Sequence, residues 1–269
     1  DDVHAVFFPS WEQAHQAVRA IIHAGAPLSM LRLSNATETW TNLGLAGHRR
    51  AVAMLERYLA FRSAGEGKCL LLMGVLGAAA QAGLSRRTAL AIAAKHGGVH
   101  VGRALGKQWQ KGRFRAPYLR NRLWEQGYAV DTLETATTWG KVPALVAAIE
   151  GALREGLAAE GERVHPFTHL SHVYRDGSSI YTTYVFRLGA TPEATLARWA
   201  ALKAAASQAI VAHGATISHQ HGVGVDHRPY LPAEKGALGM AALGRLAATF
   251  DPDGRLNPGV LLEDEPCGE

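Results

Sequence analysis

Cysteine is scarce in this chain: two in 269 residues, Cys69 inside an apolar run and Cys267 near the end. That leaves no disulfide framework and no Cys-x-x-Cys metal knuckle, so a reducing, cytoplasmic location is the expectation. Long apolar runs are missing too. No stretch reaches the roughly 18 residues of a spanning helix, and no signal peptide opens the chain. The longest apolar run, Cys69 to Ala80, holds two glycines and predicts a buried strand leading into a helix. Basic residues form no dense run, which sets nucleic acid aside as a partner. There is no internal repeat and no low-complexity tract.

What is present is a globular balance. Hydrophobic residues make up 48% and charged residues 19%, spread along the chain. That is enough to bury one large core or two modest ones. The net charge of +5 suits an anionic phosphate or carboxylate ligand, and weak attraction to an anionic membrane surface.

Periodicity and caps place the elements. Val3 to Phe8 reads as a strand; Ser10 with Gln13 forms a capping box for a helix that Gly25 stops. Strands follow at Leu28–Leu33 and Lys68–Val75, with helix between Glu38 and Ser63, then helix at Ser85–His96 and a short extended piece at Val99–Val101. Lys107 to Gln126 is helical after Pro117, Tyr128–Thr135 is extended, and Trp139–Glu155 is a helix. Thr168–Tyr174 and Ser179–Arg187 read as facing strands reversed at Asp176-Gly177. Thr191-Pro192-Glu193 opens a long helix that ends at Gly214. The order predicts an α+β fold, a largely antiparallel sheet covered by helices on one face, plus a C-terminal helical tail. A boundary is expected at Gly214, separating residues 1–214 from 215–269. The second part holds a Gly- and His-rich loop, a helix at Pro232–Thr249 and a turn at Asp251 to Gly254.

The densest chemistry is Ser218-His219-Gln220-His221-Gly222-Val223-Gly224. In extended backbone His219 and His221 share a side, and the glycines let a flat ligand approach. A lone His-x-His is as often a solvated turn, but sites concentrate on such loops. Followed by Asp251-Pro252 through Leu256-Asn257-Pro258-Gly259, this loop resembles the end of FAD-linked oxidases of the vanillyl-alcohol-oxidase superfamily. The likeness is nearest to the alkyldihydroxyacetonephosphate synthase (alkylglycerone-phosphate synthase) family and its bacterial relatives. Segments in the same order extend it: Ser29 to Leu33, Ala116 to Arg120, Thr132 to Trp139, and Ser179 to Phe186.

The resemblance implies an FAD-dependent enzyme in which the flavin does the hard chemistry. In the synthases a fatty alcohol replaces the acyl chain of acyl-dihydroxyacetonephosphate, without net oxidation. By the same resemblance, Tyr181 assists proton removal, and His219 and His221 lie near the flavin and the substrate head group. Arg32, Arg120 and Gln220 then belong to substrate binding, and His221, Gly222, Gly224 and Asn257 to the cofactor. A guanidinium fork suits phosphate or carboxylate. By residue type alone, a salt bridge is the commoner fate of an arginine, and a packed strand aromatic that of Tyr181.

Gln220 stands where the family has a middle histidine, which removes a proton shuttle. In the D-2-hydroxyacid (lactate or glycolate) dehydrogenases of the superfamily, a His and a Glu hold a metal where this chain has Tyr181 and Gln220. No metal is therefore expected; His165, His169 and His172 are nearby, but Pro166 and their uneven spacing argue against a built site. The implied partners are a small-molecule substrate with an anionic head group and lipid-like character, and a flavin-binding module missing from this chain. Peripheral membrane contact and a homodimer are further expectations. Asp1 at the start and the absence of a Gly-rich phosphate loop read as a piece of a longer enzyme. A D-2-hydroxyacid dehydrogenase and a non-catalytic α+β binding module remain the alternatives.

Overall fold

The computed structural model describes residues 2–114 and 118–263. Asp1, Ala116, Pro117, Cys267 and the rest of the tail lie outside them. The strands are β1 Asp2–Phe8, β2 Met30–Ser34, β3 Cys69–Val75, β4 Val99–His100, β5 Tyr128–Thr138, β6 His165–Leu170 and β7 Gly177–Arg187. They form one seven-stranded sheet in the order β4-β1-β3-β2-β6-β7-β5, and each neighbouring pair is antiparallel.

The helices are α1 Trp11–His23, α2 Ala36–Leu45, α3 Arg49–Phe61, α4 Ala79–Lys95, α5 Ala104–Gly112 and α6 Leu119–Glu125, then α7 Val142–Glu155, α8 Pro192–Ala212, α9 Gly224–His227 and α10 Leu231–Phe250. Local chemistry explains several boundaries. Ser10 accepts from Gln13 N at the start of α1, Thr191 accepts from Ala194 N at the start of α8, and Gly25 (φ 66°) stops the first helix. The helical stretch expected over Glu38 to Ser63 is two helices. Gly47, at φ 73°, breaks it. Trp139 belongs to no helix: its indole N–H donates to the Tyr174 and Arg175 carbonyls, and α7 begins at Val142. The hairpin strands sit earlier than their apolar runs suggested, while Tyr174 N donates to Gly177 O and keeps the reversal at Arg175-Asp176.

Burial patterns report the layering. Every residue of β3 is buried, and all of β1 after Asp2, because helices cover both sides there. Val6, Phe8, Leu31, Leu33, Leu71 and Met73 face the main core, which α1, α4, α7 and α8 close. Val3, Ala5, Phe7, Leu70 and Leu72 face a second core with Leu43 of α2 and Leu59 of α3. In β6, and in β7 from Ile180 onward, buried and half-exposed residues alternate instead. Over β7 and β5 the helices lie on one face, as expected from the sequence; over β1, β3 and β2 they lie on both, and α2 reaches the second face of β6 through Glu38 and Thr41. One end of the sheet is left with an open face.

Gly214 (φ 60°) ends α8, yet the chain beyond it returns to the main core through Ala215, Ile217 and Leu231. No described helix is long and apolar enough to cross a membrane. The Cys69 thiol is buried and pushed up to about 12, which makes it a packing residue.

Burial also pushes His4, His15, His165 and His227 below their ordinary value near 6.5. Such histidines bind fewer protons folded than unfolded, so stability is lost as pH falls below that ordinary value. Between about pH 7.5 and about pH 5.5 the thermal midpoint is expected to drop by several degrees. A flat or rising profile in a calorimetric pH series would contradict this.

Candidate active site

Strand register builds the site. Ser34 of β2 pairs with His169 of β6, His169 pairs with Tyr181 of β7, and Tyr181 pairs with Glu134 of β5. Paired residues share a face, so these four side chains form a row across the open side of the sheet. Tyr184 and Asp131, three residues further along their strands, face the helices: the Tyr184 hydroxyl and the Trp199 indole both donate to Asp131.

At one end of the row stands Glu38, in the first turn of α2, where Asn35 caps the helix by accepting from Glu38 N at 2.9 Å. Arg32 lies 2.7 Å from the Glu38 carboxylate and donates to Ser34 Oγ at 2.8 Å. Arg32 thus has the salt bridge that is the common fate of an arginine, but the bridge borders the site. Burial pushes the Glu38 carboxyl up, yet His169 and Arg32 outweigh it and hold the group far below the usual carboxylate range. His169 Nδ1 lies 3.0 Å from both Arg32 and Glu38. Burial pushes this imidazole down, with Glu38 offsetting part of that. Its ring stacks on Tyr181, centroids 4.8 Å apart.

At the other end stands the His loop, pinned to the edge strand. Thr216 N and His219 N donate to the Ala136 and Glu134 carbonyls, and Ile217 N donates to Glu234 of α10 at 2.8 Å. The loop is not extended: Gln220 (φ 61°) and Gly222 (φ 73°) are left-handed, and Ser218 Oγ donates to Gly222 O. His219 and His221 still meet, because both rings fold back onto Glu134. His219 Nδ1 lies 3.2 Å and His221 Nε2 3.6 Å from its carboxylate oxygens. His221 also packs edge-on against Tyr181 at 5.4 Å, and His219 Nε2 is 3.0 Å from the Tyr174 hydroxyl.

Of the residues expected from the sequence, Arg32, Tyr181, His219 and His221 are brought together. Arg120 is not: it lines a cleft of about 440 Å³ at the start of β5 with Trp124, Leu196 and Trp199, a cleft that Tyr181 and the histidines do not line. Gly222 and Gly224 have open space where a Cβ would point. Asn257 (φ 51°) sits in the tail turn, whose Gly259 carbonyl accepts from Arg228. In the same tail, Leu238, Phe250 and Leu256 are exposed.

Sequence reading missed Glu38, Glu134 and Tyr174. The one available signal was an acid in mid-strand, at Glu134, where an apolar or neutral residue is usual. Glu134, His172 and His219 also place three ligand-type atoms within 4.8 Å of one another.

Residues 2–261 match the family described as FAD linked oxidases, C-terminal domain. The alkyldihydroxyacetonephosphate synthase of Dictyostelium discoideum is 25% identical over 270 residues, 97% of this chain and 44% of its own. That of Trypanosoma brucei brucei is 26% identical over 197 residues, 73% of this chain and 32% of its own. The chain therefore spans less than half the length of these relatives. Among solved structures, an alkyldihydroxyacetonephosphate synthase superposes with a TM-score of 0.72 at 20% identity, over 93% of this chain and 42% of that one. The 4-ethylphenol oxidase of Gulosibacter chungangensis gives 0.64 at 12%, over 96% and 53%. At such identities the likeness to solved structures speaks for the fold.

Proposed function

The chain belongs to the C-terminal domain family of FAD linked oxidases, and from that premise we propose that its open sheet face closes over the ring of an FAD and holds an acyl- or alkyl-bearing ketose phosphate against it. The observation that carries this is the row Ser34, His169, Tyr181, Glu134, joined by Arg32, His219 and His221, on the sheet face bordered by α2 at one end and the His loop at the other.

The residues present suit the ring end of a flavin. The face is half-exposed and aromatic, and Gly222 and Gly224 leave room for close approach. When bound, FAD supplies a ring that takes up and returns electrons. The chain's own groups do the rest. Tyr181, held between the His169 and His221 rings, takes part in removing a proton from the substrate carbon. Arg32 has its charge met by Glu38, so it organises the site, while His221, which His219 and Glu134 flank, offers an N–H group to an anionic head group.

A lipid-like tail is part of the same reading. Trp40, Met54 and Phe61 of α2 and α3 are exposed by 66–86%, and Trp40 packs against His165 at the border of the open face. An apolar rim of this kind suits an alkyl chain or a membrane surface. The exposed Leu238, Phe250 and Leu256 suit docking against a flavin-binding module.

The test supplies the flavin-loaded protein with an acylated ketose phosphate and a fatty alcohol, without oxygen. Release of fatty acid with the flavin still oxidised at the end supports the proposal. Lasting bleaching by a 2-hydroxy acid, with no exchange, would assign the domain to a dehydrogenase instead.

A further inference from the structure

The cleft that Arg120 lines lies on the other side of the sheet from the row. Ala129 pairs with Phe186 and Asp131 with Tyr184, and these residues face α8. Glu134 and Tyr181 stand an odd number of residues along the same strands, so they face the opposite way. The cleft measures about 440 Å³, within the usual range for a small-molecule site. None of its lining residues takes part in the chemistry proposed above.

Its polar inventory is short. Thr195 Oγ accepts from Gly189 N at 2.9 Å and donates to the Thr191 carbonyl. Asp131 accepts from the Tyr184 hydroxyl, the Trp199 indole and the Lys203 ammonium, so the acid of the cleft is already satisfied. Burial pushes its carboxyl up, yet Lys203 and the other donors outweigh burial and hold it below its ordinary value. Arg120 is different: among the described residues its side chain has no hydrogen-bond or ion-pair partner. The remaining lining is apolar and rich in aromatic rings. Trp124 of α6 and Leu196 of α8 are each more than half exposed, and the buried Phe186 of β7 lines the space with them. Trp199 has its one polar atom engaged by Asp131, so a ligand meets only its ring carbons.

An apolar cleft with one unpaired cation selects an amphipathic anion. We propose that this cleft is a second ligand site, which takes a flat aryl carboxylate with its rings against Trp124 and Trp199 and its carboxylate on the Arg120 guanidinium. Rings are favoured over an alkyl chain because aromatic side chains from three elements, Trp124, Phe186 and Trp199, line the space, and such rings pack offset or edge-on against another. The guanidinium fork meets a carboxylate through two parallel hydrogen bonds. The resemblance put Arg120 beside the substrate at the flavin; a ligand in this cleft gives the side chain a role where it lies. The site rests on this geometry alone and stands or falls independently of the flavin reading.

Isothermal titration calorimetry of the purified chain with 2-naphthoate tests this, with 2-naphthamide as the uncharged counterpart and decanoate as the alkyl one. The expected result is saturable binding of one 2-naphthoate per chain, tighter than either of the others. Arg120→Gln should weaken 2-naphthoate by about tenfold or more and leave 2-naphthamide within about twofold. Leu196→Trp, which fills the cleft from an exposed helical position, should abolish binding of both, with circular dichroism as the check on folding. Tyr181→Phe, on the opposite face, should leave binding unchanged. Absence of saturable binding to the folded chain overturns the proposal, and so does binding that is unchanged in Arg120→Gln or lost in Tyr181→Phe. Decanoate bound as tightly as 2-naphthoate would overturn the assignment to an aryl ligand.

Discussion

Replacing Tyr181 with phenylalanine is expected to lower turnover of the flavin-loaded enzyme by roughly 10²- to 10⁴-fold, the usual weight of a proton-transfer group. Phenylalanine keeps the ring that stacks on His169 and meets His221 edge-on, so packing and the row across the sheet survive. Only the hydroxyl is lost. The effect should therefore fall on kcat with little change in KM. A variant retaining turnover within about twofold would remove Tyr181 from the chemistry. A fall confined to KM would make it a binding residue.

The second large effect is on stability. Glu38→Ala removes the acid that meets Arg32 at 2.7 Å and His169 at 3.0 Å, and leaves a guanidinium only 17% exposed without its partner. Breaking a buried pair from one side costs about 3–5 kcal/mol. The Arg32→Ala, Glu38→Ala double variant should lose less than the sum of the two single losses, because the second removal relieves a charge the first one stranded. Urea denaturation of the four proteins measures this. A single-variant loss below about 1 kcal/mol would show that the site's rim does not depend on the pair. Acid should act in the same direction: the Glu38 contribution is fully present above the ordinary carboxylate range and is lost as pH falls through its depressed folded value.

Much of the local structure was legible without coordinates. Ser10 and Thr191 cap the helices they were expected to cap, since a side-chain oxygen two or three residues from free N–H groups acts within one turn of chain. The reversal between β6 and β7 is equally local, although it turns at Arg175-Asp176 and Gly177 already belongs to β7. Trp139 was assigned to the wrong element for the converse reason. Its apolar character continued the helical stripe of α7, and only the hairpin tip, with carbonyls 35 and 36 residues away, showed where its N–H is satisfied. His219 and His221 were correctly expected to share a space, but by the wrong route. They converge through a left-handed turn that folds both rings onto Glu134, not through alternation along an extended chain.

Sequence alone thus determined the α+β class, the antiparallel hairpins, most helix ends and the loop that carries the histidines, because each follows from contacts within a few residues or from the period of apolar side chains. The tertiary structure decided which side chains share the site. Arg32 and Glu38 meet His169 across 131 to 137 residues of chain, and Arg120 faces a different cleft, although the resemblance put it beside the same substrate. It also decided that helices cover both sides of one end of the sheet and one side of the other. Neither outcome is written in local periodicity. A row of chemistry arises from the register of four strands, and a shift of one residue in any pairing would turn that strand's side chains to the opposite face.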